Sequence, residues 1–167
     1  MALFVRQFPI MENDPKKVLI VEDNVDWRQL LTMIIKRLGY DVIGVGTGKD
    51  GVEQASATHP DLILMDLGLP EMSGDEATIR IKAEPATRDI PVVVQTAFGT
   101  SPAAKRAMDA GAAELMHKPI SIADIQTVVQ KYLSVETKTM GADNRRARSP
   151  SNPAQPVSHH GREPGLL

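Results

Sequence analysis

Five short apolar runs, each followed by a polar or amphipathic stretch, constrain this chain more than any other feature. They are Lys17-Val18-Leu19-Ile20-Val21, Asp41-Val42-Ile43-Gly44-Val45, Leu62-Ile63-Leu64-Met65, Pro91-Val92-Val93-Val94-Gln95 and the shorter, weaker Glu114-Leu115-Met116-His117. The first, third and fourth are continuously apolar, as strands buried on both faces are. Between the runs the period changes. Trp27, Leu30, Leu31, Ile34, Ile35 and Leu38 recur at helical spacing up to Gly39, a stripe that one side of a helix buries and a glycine terminates. Further helices are predicted over about 49–57 and 75–83. Another starts at Ser101-Pro102 and stops at Gly111, with a capping hydroxyl followed by a first-turn proline. The last begins at Ser121 and carries Ile122, Ile125, Val128, Val129, Tyr132 and Leu133 at helical spacing. Five strand–helix units in succession predict an α/β domain, a five-stranded parallel sheet with helices on both faces.

That rhythm occupies residues 16–133. Residues 1–15 read as an irregular extension, and 134–167 as a disordered tail with four prolines and few large apolar side chains, too little to offset its ordering entropy. Met11 opens a stretch that itself reads as a natural start, so residues 1–10 are of doubtful origin. Nineteen basic and twenty-one acidic residues give a net charge of −2, which argues against a dedicated nucleic-acid binder. Arg145, Arg146 and Arg148 read as a solubilising cluster. The absence of cysteine excludes a disulfide framework, a cysteine nucleophile and a thiolate metal site. No apolar run approaches the roughly 18 residues of a membrane span, and the first residues lack the pattern of a secretory signal. A cytoplasmic protein is expected.

In open parallel sheets, sites form outside the carboxyl ends of the strands, where strand order reverses. The ends here carry Glu22-Asp23-Asn24, Asp66, Thr96 and Lys118-Pro119. Three carboxylates so placed repel one another unless a cation joins them. An oxygen-rich, thiol-free set suits Mg²⁺. A carboxylate can attack phosphorus, while a metal and a lysine neutralise the transferring group. The chemistry favoured is phosphoryl transfer to Asp66.

This set, each member directly after an apolar run, resembles the receiver domain of bacterial two-component response regulators over roughly residues 16–133. Val18-Leu19-Ile20-Val21-Glu22-Asp23-Asn24 and Leu64-Met65-Asp66-Leu67-Gly68-Leu69-Pro70-Glu71-Met72-Ser73-Gly74 are similar to that family's first and third strand–loop units. The resemblance implies a flavodoxin-like (βα)5 fold with strand order 2-1-3-4-5. It implies Asp66 as phosphoacceptor and Asp23 as a direct Mg²⁺ ligand, with Glu22 acting mostly through water and the Gly68 carbonyl as a backbone ligand. Lys118 would pair with a phosphoryl oxygen, its bond to Pro119 cis. The Thr96 hydroxyl would move onto the phosphoryl group, and the fourth helix, fifth strand and fifth helix would present the result. The implied donor is a sensor histidine kinase or a histidine phosphotransfer protein, and the implied output is contact with a downstream protein. The expected molecule is a stand-alone receiver, monomeric or weakly dimeric. It would catalyse only its own phosphorylation and dephosphorylation, with no nucleic acid or membrane partner.

Two positions depart from the family pattern. Leu115 stands where Tyr or Phe is usual, and an aliphatic side chain cannot follow the threonine as a ring does. Gly68 and Phe98 occupy the positions two beyond the acceptor and the threonine. Phe98, in place of a polar side chain, would hinder an attacking water and lengthen the life of the phosphoryl form. His117 reads as structural, His159 and His160 as solvated, and Trp27 as core-facing or a partial surface anchor. A constitutive, phosphorylation-independent binding module would keep the fold but has no need of the acid, Thr and Lys set. A flavodoxin-like electron carrier would need a phosphate-cradling loop where Glu22-Asp23-Asn24 stands. A Mg²⁺-dependent phosphatase would need a second Asp at Gly68.

Overall fold

The structure, a computed structural model, describes residues 14–97 and 99–134. The expectations for residues 1–13, for Phe98 and for 135–167, including Met11, the Arg145–Arg148 cluster, His159 and His160, lie outside the described residues. Strands and helices alternate: β1 Lys17–Val21, α1 Val25–Arg37, β2 Asp41–Val45, α2 Gly48–Thr58, β3 Leu62–Asp66, α3 Gly74–Ala83, β4 Val92–Thr96, α4 Pro102–Asp109, β5 Glu114–His117 and α5 Ile122–Leu133. The boundaries differ from the sequence pattern by a residue or two. For α3 the start is Gly74, not Asp75.

The strands form one parallel sheet in the order β2-β1-β3-β4-β5. Alternate side chains of each buried strand serve opposite faces. Val18 and Ile20 of β1, with Leu62 and Leu64 of β3, pack against Leu31, Ile34 and Ile35 of α1 and Ile125, Val128 and Val129 of α5. Their neighbours Leu19, Val21, Ile63 and Met65 join Ala55 of α2, Ala77 and Ile81 of α3 and Ala104 and Ala107 of α4 on the other face. This two-sided burial explains why β1 and β3 are apolar without alternation. Leu115 packs against the second cluster and Trp27 against the first, both half-buried.

Helix starts follow local chemistry. Asn24 Oδ1 accepts from Trp27 N at 2.8 Å and Thr47 Oγ1 from Asp50 N at 3.1 Å. Ser101 Oγ accepts from Ala104 N with Pro102 in the first turn, and Ser121 forms a capping box with Asp124. Such caps satisfy backbone donors that the first turn leaves unpaired. α1 closes at Gly39, which adopts φ +91°, a left-handed conformation that glycine reaches without steric cost. The chain runs from β1 outward to β2 and then crosses back to β3. The carboxyl ends of β1 and β3 therefore flank the point where strand order reverses, and Glu22, Asp23 and Asp66 sit there, with Thr96 and Lys118 at the neighbouring ends of β4 and β5.

Candidate functional site

β1 ends by delivering Glu22 into the sheet edge, its amide donating to Val45 O at 3.0 Å. The side chain is almost wholly buried. Its Oε1 accepts from Asn24 N at 3.2 Å and its Oε2 from Lys118 Nζ at 3.1 Å. Asp23, next along, is exposed. β3 ends at Asp66, whose side chain is 9% exposed. Its Oδ1 accepts from Gly68 N at 3.1 Å, and its Oδ2 lies 3.0 Å from Lys118 Nζ. One oxygen from each of Glu22, Asp23 and Asp66 lies within 4.8 Å of the others. The three carboxylates and the lysine of the sequence argument therefore meet at one place.

β5 brings in the lysine. Lys118 N donates to Thr96 O at 2.8 Å, which ties the ends of β4 and β5 together, and the Lys118–Pro119 bond is cis. Thr96 is buried at the end of β4. Gly68 reaches Asp66 through its amide. A cleft of about 300 Å³ opens beside the cluster, lined by Glu22, Asn24, Trp27, Lys118, Pro119 and Ile120.

The electrostatics are those of an under-neutralised anionic site. Burial, reinforced by the Asp66 charge, pushes the Glu22 carboxyl above its ordinary value despite Lys118. Burial alone would lower Lys118, but the hydrogen bond and charge of Asp66, with those of Glu22, raise it above the ordinary lysine value. One ammonium faces three carboxylates. The residues present therefore fit a hard divalent cation, which supplies the missing charge to an all-oxygen donor set.

Sequence reasoning missed several supporting residues. Gly74 abuts the end of β3 so closely that a Cβ would lie 1.9 Å from Asp66 O. Asp75, buried at the start of α3, pairs through Oδ2 with Arg106 Nε of α4 at 2.6 Å. The ring of His117 lies against Gly99, leaving no room for a Cβ there. Arg28 of α1 donates through Nη1 to Glu22 O and, at 3.3 Å, to Asp23 O. No residue-type pattern reports a bond to a main-chain carbonyl.

A reversing parallel sheet with an acid–lysine cluster outside β1, β3 and β5 defines a class of small α/β domain whose strand ends offer oxygen ligands beside an aspartate. Comparison with known proteins names that class. The family model for the response regulator receiver domain matches residues 18–130, and the chain belongs to this family. The polar-differentiation response regulator DivK of Brucella ovis is 38% identical over 118 residues, 71% of this chain and 96% of that relative. The receiver domain of a sensor histidine kinase from Pseudomonas aeruginosa, solved with a magnesium ion coordinated in its active-site cleft, is 30% identical. It superposes with a TM-score of 0.66 over 71% of this chain and 97% of that one. A chemotaxis response regulator of Vibrio cholerae is 25% identical, with a TM-score of 0.66 over 71% of this chain and 99% of its own. Among the described residues, no helix is long and apolar enough to cross a membrane.

Proposed function

We propose that this receiver takes a phosphoryl group onto Asp66 from a phosphohistidine, with Mg²⁺ at Glu22, Asp23, Asp66 and the Gly68 carbonyl. In the transfer an Asp66 carboxylate oxygen forms a bond to phosphorus as the phosphorus–nitrogen bond of the donor breaks. The electron pair leaves with the imidazole nitrogen. Mg²⁺, when bound, neutralises charge on the equatorial phosphoryl oxygens. The protein's own groups do the rest. Gly68 N and Lys118 Nζ hold the two Asp66 oxygens, and Lys118 turns from Glu22 and Asp66 to a phosphoryl oxygen as the negative charge arrives. The Thr96 hydroxyl bonds another phosphoryl oxygen and draws the β4–α4 connection with it, a switch driven by a phosphate.

The single observation that carries this reading is the Lys118 ammonium, 3.0 Å from Asp66 and 3.1 Å from Glu22. A constitutive binding module has no use for a lysine drawn between two buried carboxylates at a strand end. The donor is a sensor histidine kinase or a histidine phosphotransfer protein, and the output is a phosphorylation-dependent contact with a downstream protein. The domain spans 16–133, monomeric or weakly dimeric, in the cytoplasm, catalysing only its own phosphorylation and dephosphorylation.

The test is intact mass after treatment with a small phosphodonor such as acetyl phosphate. One phosphoryl adduct is expected, requiring both Mg²⁺ and Asp66. An adduct that survives Asp66→Ala, or none from either the small donor or a phosphorylated histidine phosphotransfer protein, would overturn the reading.

A further inference from the structure

Arg28 occupies an unusual place for a charged side chain. Among the described residues no carboxylate pairs with it. Its guanidinium is given instead to two consecutive main-chain carbonyls, those of Glu22 and Asp23. These residues carry two of the three clustered carboxylates. The stem of the side chain lies across Gly44 of β2, and Gly46, just past the strand, faces the guanidinium at ordinary contact distance. A Cβ on Gly44 would lie 3.3 Å from both Arg28 Cγ and Cδ, and one on Gly46 would lie 3.6 Å from Nη1. Glycine weakens a strand interior and often marks a close approach by another group. Here the approaching group is Arg28. The arginine, Gly44 and the two carbonyls form one unit on the α1–β2 side of the turn that leads from β1 to α1.

We propose that Arg28 is a positioning residue for the cation site, clamping the Glu22–Asp23 main chain so that both carboxylates are held ready for Mg²⁺, and that Gly44 seats it. The proposal rests on the reading of the acid cluster as a Mg²⁺ site. Two effects of Arg28 oppose each other. As a positive charge close to a cation site it repels Mg²⁺, so its removal by simple electrostatics tightens binding. As a clamp it spares the ion the cost of ordering a loose turn, so its removal weakens binding. The geometry favours the clamp. Both donor contacts run from the one nitrogen, Nη1, to main-chain carbonyls, so the guanidinium bridges two consecutive residues of the turn.

The experiment is Mg²⁺ titration of the full chain by calorimetry and by Trp27 fluorescence, since Trp27 lines the cleft beside the cluster. Melting temperature and far-ultraviolet circular dichroism serve as controls. Arg28→Met is expected to weaken Mg²⁺ binding about tenfold, the low end for loss of a group that orients metal ligands. Arg28→Lys keeps the charge on a shorter side chain that reaches the two carbonyls less well, and is expected to fall between wild type and Arg28→Met. Gly44→Val leaves Arg28 chemically intact but fills its seat, and valine suits a strand, so folding is retained. It is expected to weaken binding as well, and the double variant to bind no more weakly than Arg28→Met alone, because both changes remove one interaction. Arg28→Met binding Mg²⁺ as tightly as the wild type, or more tightly, overturns the proposal. So does strict additivity of the two changes. Failure of the wild type to bind Mg²⁺ at all is a different result, which removes the site reading and this inference with it.

Discussion

Replacing Asp66 by Asn should make the metal-free protein more stable, although the aspartate holds one end of an ion pair. Asp66 Oδ2 lies 3.0 Å from Lys118 Nζ. At an effective dielectric near 20 that attraction amounts to about 5.5 kcal/mol. Against it stand Glu22 and Asp23, each with an oxygen no more than 4.8 Å away, worth at least about 3.5 kcal/mol of repulsion apiece on the same scale. The exposed Asp23 is screened and contributes less than that, which brings attraction and repulsion close to balance. Desolvation then decides. The Asp66 side chain is 9% exposed, and a charge so buried carries a penalty that an amide largely escapes. Lys118 keeps Glu22, so the single carbonyl of the substituted amide can turn to accept from Gly68 N, its NH2 group then facing the lysine, a lost hydrogen bond that the gain must exceed. The net expectation is a gain of about 1–2 kcal/mol for Asp66→Asn in the presence of a chelator, read by urea unfolding. Mg²⁺ should narrow the gap. At ten times its dissociation constant the ion stabilises the wild type by about 1.4 kcal/mol, and the variant, lacking one ligand charge, gains less. Asp66→Asn that is less stable than wild type in chelator, or a gap that Mg²⁺ leaves unchanged, would refute the view that the site is strained by excess negative charge.

Three further outcomes follow from the same geometry. Because the folded state holds Glu22 above its ordinary pKa, it takes up a proton there at higher pH than in the unfolded chain. Its penalty is therefore present above the folded pKa and relieved as pH falls through it. Urea unfolding without metal should show a stabilising contribution from Glu22 as pH falls through its raised folded pKa toward the ordinary carboxylate value, with Mg²⁺ affinity falling over the same range and both trends flattened in Glu22→Gln. Gly74→Ala sets a methyl 1.9 Å from Asp66 O and 2.7 Å from its carbonyl carbon; backbone cannot move aside as a side chain can, so the loss in urea unfolding should reach about 3 kcal/mol. Arg106→Ala abandons the buried Asp75 carboxylate and should cost about 2–3 kcal/mol, whereas Arg106→Ala combined with Asp75→Leu should recover most of it; equal losses in single and double variants would contradict the pairing.

The fold is legible in the sequence because two periods alternate so cleanly. Val18 to Val21 and Leu62 to Met65 have the unbroken apolar character of strands buried on both faces, and the stripe from Trp27 to Leu38 has the spacing of a helix. Strand order comes from the family resemblance, since periodicity does not state which strands are neighbours. The acids and the lysine are legible because each follows a strand directly, and a parallel sheet brings all such ends to one edge. What stays hidden is whatever acts through main chain or across distant sequence. Arg28 reads as one polar residue on an amphipathic helix, and its partners are carbonyls that every residue owns. Gly44 reads as a flaw in a strand until the arginine above it is seen. Asp75 and Arg106 lie 31 positions apart, and nothing in the pattern of either helix links them. His117 reads as structural from the sequence; its ring lies against Gly99, between the strand that leads to Lys118 and the connection that follows Thr96.

The central claim is that the phosphoryl group resides on Asp66, and reduction of the phosphorylated protein with borohydride tests it most directly. Borohydride converts an acyl phosphate, but not a free carboxylate, to an alcohol, so fragment masses locate the acceptor. Homoserine at position 66, formed only after treatment with phosphodonor and Mg²⁺, is the expected result. A reduced side chain at position 22 or 23, or an unreduced Asp66 in protein that carries the phosphoryl mass, would contradict the account.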